Sequence, residues 1–248
     1  MAFDFSEADH LPNRRSDEQA HADPYDLPRQ RRGITPQMHG RYPDYDVLEQ
    51  QRHWDEVTRR LVLDRVHNVP PLRFFDEAQA RTIGAFCDEL TAQDDDPKIP
   101  VLNYLDEKLY ENKGAGYQYF DLPSDHEVWR TVARGLDEEA RKQGRDSYAL
   151  LTRHEQNVLC HKFAKAELYG GAWATLNISH AFKVCVRDVC EQYYSHPWAW
   201  NEIGFGGPAY PRGYAAFGNP QLGEEEHWEA KEAVDVDAHK DVQAKGLD

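Results

Sequence analysis

Along the middle of the chain, apolar residues recur every three or four positions, the spacing that lays one stripe along a helix. Trp54, Val57 and Leu61, continued by Val62 and Val66, predict a first helix stopped by Pro70-Pro71. Asp76 opens a second, with Ile83, Phe86, Cys87 and Leu90 on one face. Pro100 suits the first turn of a third, which carries Leu102, Leu105 and Leu109. Ser124-Asp125-His126-Glu127 reads as a capping box, and Val128, Val132, Leu136 and Ala140 follow it at helical spacing. Thr152-Arg153-His154-Glu155 is a second such box, opening a helix that runs to Gly170-Gly171. A last helix places Phe182, Val186, Val189 and Tyr193 on a stripe ended by Ser195-His196-Pro197. No run of strand length alternates with period two, and no internal repeat is evident. The pattern predicts an all-α fold, an irregular bundle of about six helices. An irregular segment rich in glycine, proline and aromatics follows from Pro197 to Gly223.

The flanks lack this period. Residues 1–50 are polar and punctuated by proline, so they predict an extended or flexible arm, with Tyr25, Tyr42 and Tyr45 suited to lying over another surface. The helical domain then spans 51–223, and 224–248 is an acidic tail with nine acidic residues and three lysines.

Charge narrows the partners. The 248 residues suffice to bury a core without disulfides or a structural metal. Asp and Glu outnumber Lys and Arg by 44 to 29, a net charge of −15, which argues against nucleic acid and against anionic membranes. The longest stretch free of charged residues, Leu168 to Phe182, is too short for direct membrane insertion and is broken by Gly170-Gly171, Asn177, Ser179 and His180. No apolar segment follows Arg14-Arg15 or Arg31-Arg32, as an export signal requires. Four unpatterned cysteines complete the expectation of a reducing cytoplasm. A periplasmic or membrane-associated complex, exported with a partner, is the alternative.

Candidate chemistry is sparse. His154 and His161 lie about 10 Å apart along a helix axis, too far to share one zinc. Cys185 and Cys190 diverge by about 140° around theirs, flanking an apolar stripe. A cluster assembled from separate helices, using Cys160, His161, Cys185 and Cys190, defines an alternative identity as a self-sufficient metal- or iron–sulfur-binding protein. Glu-x-x-His occurs at Glu18–His21 and Glu224–His227, but both copies lie in the tails. G-x-S-x-G and the phosphate-loop motif are absent, and the single G-x-G at Gly204–Gly206 follows no expected strand. No catalytic residue and no cofactor-binding residue is therefore assigned to this chain.

The densest information lies in His196-Pro-Trp-Ala-Trp-Asn-Glu-Ile-Gly-Phe-Gly-Gly-Pro-Ala-Tyr-Pro-Arg-Gly-Tyr214, with four glycines, three prolines, two tryptophans, two tyrosines and an arginine. Its aromatic and arginine content matches interface hot spots, and its stiffness leaves little entropy to lose on binding. It serves either as a docking element or as a rigid closure over the protein's own core. Docking would use Trp198, Trp200, Asn201, Glu202, Phe205, Tyr210, Arg212 and Tyr214.

This string resembles the C-terminal signature of the gluconate 2-dehydrogenase subunit 3 family, and Tyr193-Tyr194-Ser195-His196-Pro197 is similar to that family's Tyr-Tyr-x-x-Pro run. The resemblance implies an α-helical small subunit of a flavin-dependent dehydrogenase of the glucose–methanol–choline type. Such a subunit lacks its own flavin, binds the FAD-containing large subunit and helps it fold, mature or export. Many members carry a twin-arginine export signal, which is not visible here. Many also read GGN with a later GYPG in place of this chain's WNEIGFGGPAYPRGY, which points to a divergent branch.

Overall fold

A computed structural model describes residues 46–93 and 98–208. Among the described residues the regular structure is seven α-helices and three 3₁₀ segments, with no strand. The fold is all-α, as the apolar period predicts. Among the described residues the chain forms two compact units, one of residues 46–69, 98–99 and 194–208 and one of 70–93 and 100–193.

In the first unit, a 3₁₀ segment Val47–His53 precedes helix α1 (Glu56–His67), and α7 (Pro197–Ile203) packs against both. The 3₁₀ segment straddles the expected end of the arm at residue 50, and its Val47 and Leu48 are buried. Asp55 caps α1 by accepting from Thr58 N at 3.0 Å. The buried face of α1 is Val62, Leu63 and Val66, whereas Val57 and Leu61 are 63% and 67% exposed. The expected stripe is thus displaced, because Trp54 ends the 3₁₀ segment and does not belong to α1.

The second unit holds α2 (Glu77–Leu90), α3 (Val101–Tyr110), α4 (Asp125–Lys142), α5 (Arg153–Ala164) and α6, which runs Ile178–Tyr194. Helix α2 contacts α3, α4 and α5. Its Phe86 stacks on Phe163 at 5.9 Å and meets Tyr148 edge-on at 6.3 Å. Ile83, Leu105, Val128, Trp129, Val132, Leu136 and Val189 share complete burial. Each such side chain contributes about 1.5–3 kcal/mol. Gly135 lets α4 approach the 3₁₀ segment Gly171–Thr175, since a Cβ there would lie 2.5 Å from the Trp173 ring.

Helix ends explain where the expectations shift. Complete capping boxes open α2 (Asp76 with Gln79) and α5 (Thr152 with Glu155). At α4 only half forms: Ser124 accepts from Glu127 N, while the Glu127 carboxylate takes Thr131 Oγ1 and Arg134, each at 3.2 Å. Helix α5 stops at Ala164, short of Gly170, because Ala166 adopts φ 56° and Glu167 N bonds Lys162 O at 2.8 Å. The same six-to-one closure ends α2 at Ala92 (φ 53°), α3 at Asn112 (φ 53°) and α4 at Gly144 (φ 77°). Only one of the four carries the glycine that favours this left-handed position. Ala166→Gly is accordingly expected to raise stability by about 0.5–1 kcal/mol, read as a shift in the urea midpoint at constant slope. A lower midpoint would mean that the alanine methyl contributes more than the backbone strain costs.

Candidate partner interface at the signature segment

The string after α6 is not irregular throughout. His196 caps α7, its Nδ1 accepting from Trp198 N at 3.2 Å, and Pro197 occupies the first turn. Gly204 closes the helix in the left-handed conformation, φ 69°. The histidine and proline that seem to stop α6 therefore start another helix. A proline in the first turn loses no helical hydrogen bond, so one residue serves both signals.

The proposed docking residues divide by direction. Trp198, Asn201 and Glu202 are buried within this chain. Asn201 Oδ1 accepts from Val47 N at 2.8 Å and its amide donates to Asp46 Oδ1 at 3.1 Å, tying α7 to the 3₁₀ segment. Trp200 is half-buried, donates from Nε1 to Tyr194 O at 2.6 Å and meets Phe205 edge-on at 5.6 Å. Phe205 and Ile203 remain exposed at the end of α7. Gly207 has φ 75°, and a Cβ there would sit 2.8 Å from Val47 Cγ2 and 3.2 Å from the Trp54 ring. Most of the described signature thus builds the first unit's own core. Tyr210, Arg212 and Tyr214 lie outside the described residues.

The cysteine alternative does not assemble. Cys185 is fully buried, Cys160 and Cys190 are half-buried, and His161 is exposed on α5. Burial raises all the thiol pKa values, Cys160 to about 12, where the nearby Glu89 adds to the effect. Among the described residues no three His, Cys, Asp or Glu side chains converge as a metal would require.

Sequence reasoning overlooked a buried polar centre in the second unit. Asp188 of α6 is closed to solvent and accepts from Lys108 Nζ at 2.9 Å, Arg187 Nε at 2.9 Å and Trp129 Nε1 at 3.0 Å. Lys108 also reaches Glu191 at 2.6 Å, and Arg187 reaches Asp125 at 3.2 Å. Burial of Lys108 works against its charge, but the hydrogen bonds to Glu191 and Asp188 outweigh it and hold the pKa above the ordinary 10.5. This network turns α6, so that Ala181, Val184, Cys185 and Asp188 face inward while Phe182 and Val186 are only half-buried. Asp106 of α3 is equally buried and accepts from three successive amides, Arg73, Phe74 and Phe75. The available signal was a charged residue beside an apolar stripe position, Asp188 before Val189 and Asp106 after Leu105.

A family model described as gluconate 2-dehydrogenase subunit 3 matches residues 77–207, from the start of α2 to the close approach at Gly207. No curated protein and no solved structure matches the chain. The match covers more than half of the sequence and takes in both the helical scaffold and the His196–Gly207 part of the signature. On that span, the chain belongs to the gluconate 2-dehydrogenase subunit 3 family.

Proposed function

We propose that this protein is a non-catalytic accessory subunit of an FAD-dependent sugar or polyol dehydrogenase. In this reading it binds the FAD-containing large subunit and stabilises or matures it. The observation that carries the proposal is the family match over residues 77–207, whose description is that of one subunit of a dehydrogenase. Hydride transfer from the substrate carbinol to flavin belongs to the large subunit, and this chain supplies a binding surface. The exposed end of α7, with Ile203, Phe205 and the accessible part of Trp200, is the described portion of that surface. Arg212, outside the described residues, is a planar donor able to pair with a partner's carboxylate.

Purified alone, the chain is expected to be colourless and to reduce no dye with any sugar. Co-expressed with its flavoprotein, it is expected to co-purify, with flavin on the larger chain. Arg212→Ala should weaken the complex by about 2 kcal/mol, roughly thirtyfold in Kd, with little change in the melting temperature of the isolated chain. A flavin absorption band in the isolated chain, or no association with any flavoprotein encoded beside it, would overturn the reading.

A further inference from the structure

Residues 71–73 are exposed, yet the segment they open is locked in place. It has no helical or strand partner of its own, so its amides turn to α3. There the buried Asp106 accepts from Arg73 N at 2.6 Å, Phe74 N at 3.0 Å and Phe75 N at 2.9 Å. Asn103 adds a hydrogen bond to Pro70 O at 2.8 Å. The Phe74 ring then stands edge-on to Phe75 at 4.9 Å and against His126 at 5.0 Å. Over this fixed ring lies the Arg130 guanidinium of α4, 4.4 Å from the centroid. Arg73 lies 4.2 Å over Tyr110, at the end of α3. We infer that this arginine–aromatic patch of the second unit is a protein-docking surface, with Arg130 receiving a carboxylate of the flavoprotein large subunit. The choice of occupant rests on the accessory-subunit reading, and the patch shares no residue with the α7 surface.

Unspent charge selects the ligand. Arg187 and Arg73 also lie over rings, but Arg187 is answered by Asp125 and Asp188, and Arg73 has Glu107 and Glu111 at 3.6 and 3.9 Å. Arg130 has no ion pair and no side-chain hydrogen bond among the described residues. The carboxylate nearest by spacing is Glu127, three positions back on the same helix, where an ion pair ordinarily forms. Glu127 is instead taken by Thr131 Oγ1 and Arg134, each at 3.2 Å. Stacking covers a face of a guanidinium and leaves its N–H edge available. The two oxygens of a carboxylate match that edge, and their charge is the one Arg130 lacks.

An apolar rim selects a protein as the carrier of that carboxylate. Tyr110 is 54% exposed and Leu72 41%, so a partner that covers them removes apolar surface from water. A free anion would leave the rim wet, and nucleic acid is opposed by the net charge of −15. Arginine and tyrosine are among the residue types that carry most binding energy at interfaces. Stacking has already restricted the rotamers of both arginines, so less entropy is lost when the partner arrives.

The test is the Kd of the full chain for a flavoprotein encoded beside it, with the melting temperature of each variant. Arg130→Ala is expected to weaken the complex about tenfold or more and to leave the melting temperature nearly unchanged. Arg130→Lys keeps the charge without the planar fork, so it should bind nearly as poorly as Arg130→Ala. Full restoration by lysine would overturn the forked carboxylate contact. No complex with the parent chain would overturn the accessory-subunit reading and this inference together. A complex that Phe205→Ala weakens and Arg130→Ala does not would overturn this inference alone. So would a lower melting temperature with unchanged Kd, which makes the stack a packing contact. A loss confined to self-association of the chain would make the occupant a second copy and would likewise overturn it.

Discussion

Asp188→Ala is expected to destabilise the protein by about 3–5 kcal/mol, the largest effect of any single charge removal proposed here. The carboxylate has no solvent access and answers three donors, from Lys108, Arg187 and Trp129. Removing it leaves the 8%-exposed Lys108 ammonium with Glu191 as its one carboxylate and strands the indole N–H. Asp188→Asn keeps the size and one acceptor, so it should recover part of the loss, which separates lost charge from lost packing. Urea unfolding of the three proteins measures both quantities. Because the group is buried, the effect should persist in high salt. The raised pKa of Lys108 gives the sign of the pH dependence. The pair's stabilisation is complete below the unfolded value of 10.5 and is lost as pH rises through the higher folded value. A cost below about 1 kcal/mol for Asp188→Ala would show that α6 is held by its apolar contacts alone.

The second large effect is expected in the signature itself. Asn201→Ala should cost about 1–3 kcal/mol, because Val47 N–H loses its acceptor inside the first unit. Gly207→Ala should cost about as much, roughly 1–3 kcal/mol, through its positive φ and the encroachment on Val47 and Trp54. Both act on Val47, so the double variant should fall short of the sum. Phe205→Ala, at an exposed position, should barely move the melting temperature and should act on partner affinity. The four proteins together separate closure of the chain's own core from docking. If Asn201→Ala and Gly207→Ala leave stability unchanged while the complex dissociates, the inward-facing half of the signature is the docking surface after all.

The composition of this segment was legible in the sequence, and its division of labour was not. Two tryptophans, an asparagine and close-set glycines fit a hot spot and a packed closure equally well. What separates them is the partner of each polar atom. Asn201 meets residues 46 and 47, more than 150 positions away in the chain. No local pattern encodes that pairing. The helix within the segment was also hidden, since Pro197 reads both as a stop for α6 and as the first turn of α7.

Local rules alone gave the helical class, the helix start at Asp76, the complete capping box at Thr152 and the burial of Val128, Val132, Leu136 and Ala140 on α4. Those features depend on residues within one or two turns of each other, and a linear chain records such relations directly. Tertiary structure decided which way α1 and α6 face and where α5 stops. Lys108 and Asp188 are 80 positions apart, and neither looks like a core residue until the other neutralises it. Left-handed closures at Ala92 and Ala166 likewise run against their own residue type and persist because the packed helices impose them. Burying a charge or straining an alanine costs locally and is recovered only through distant contacts, so the tertiary fold had to decide it.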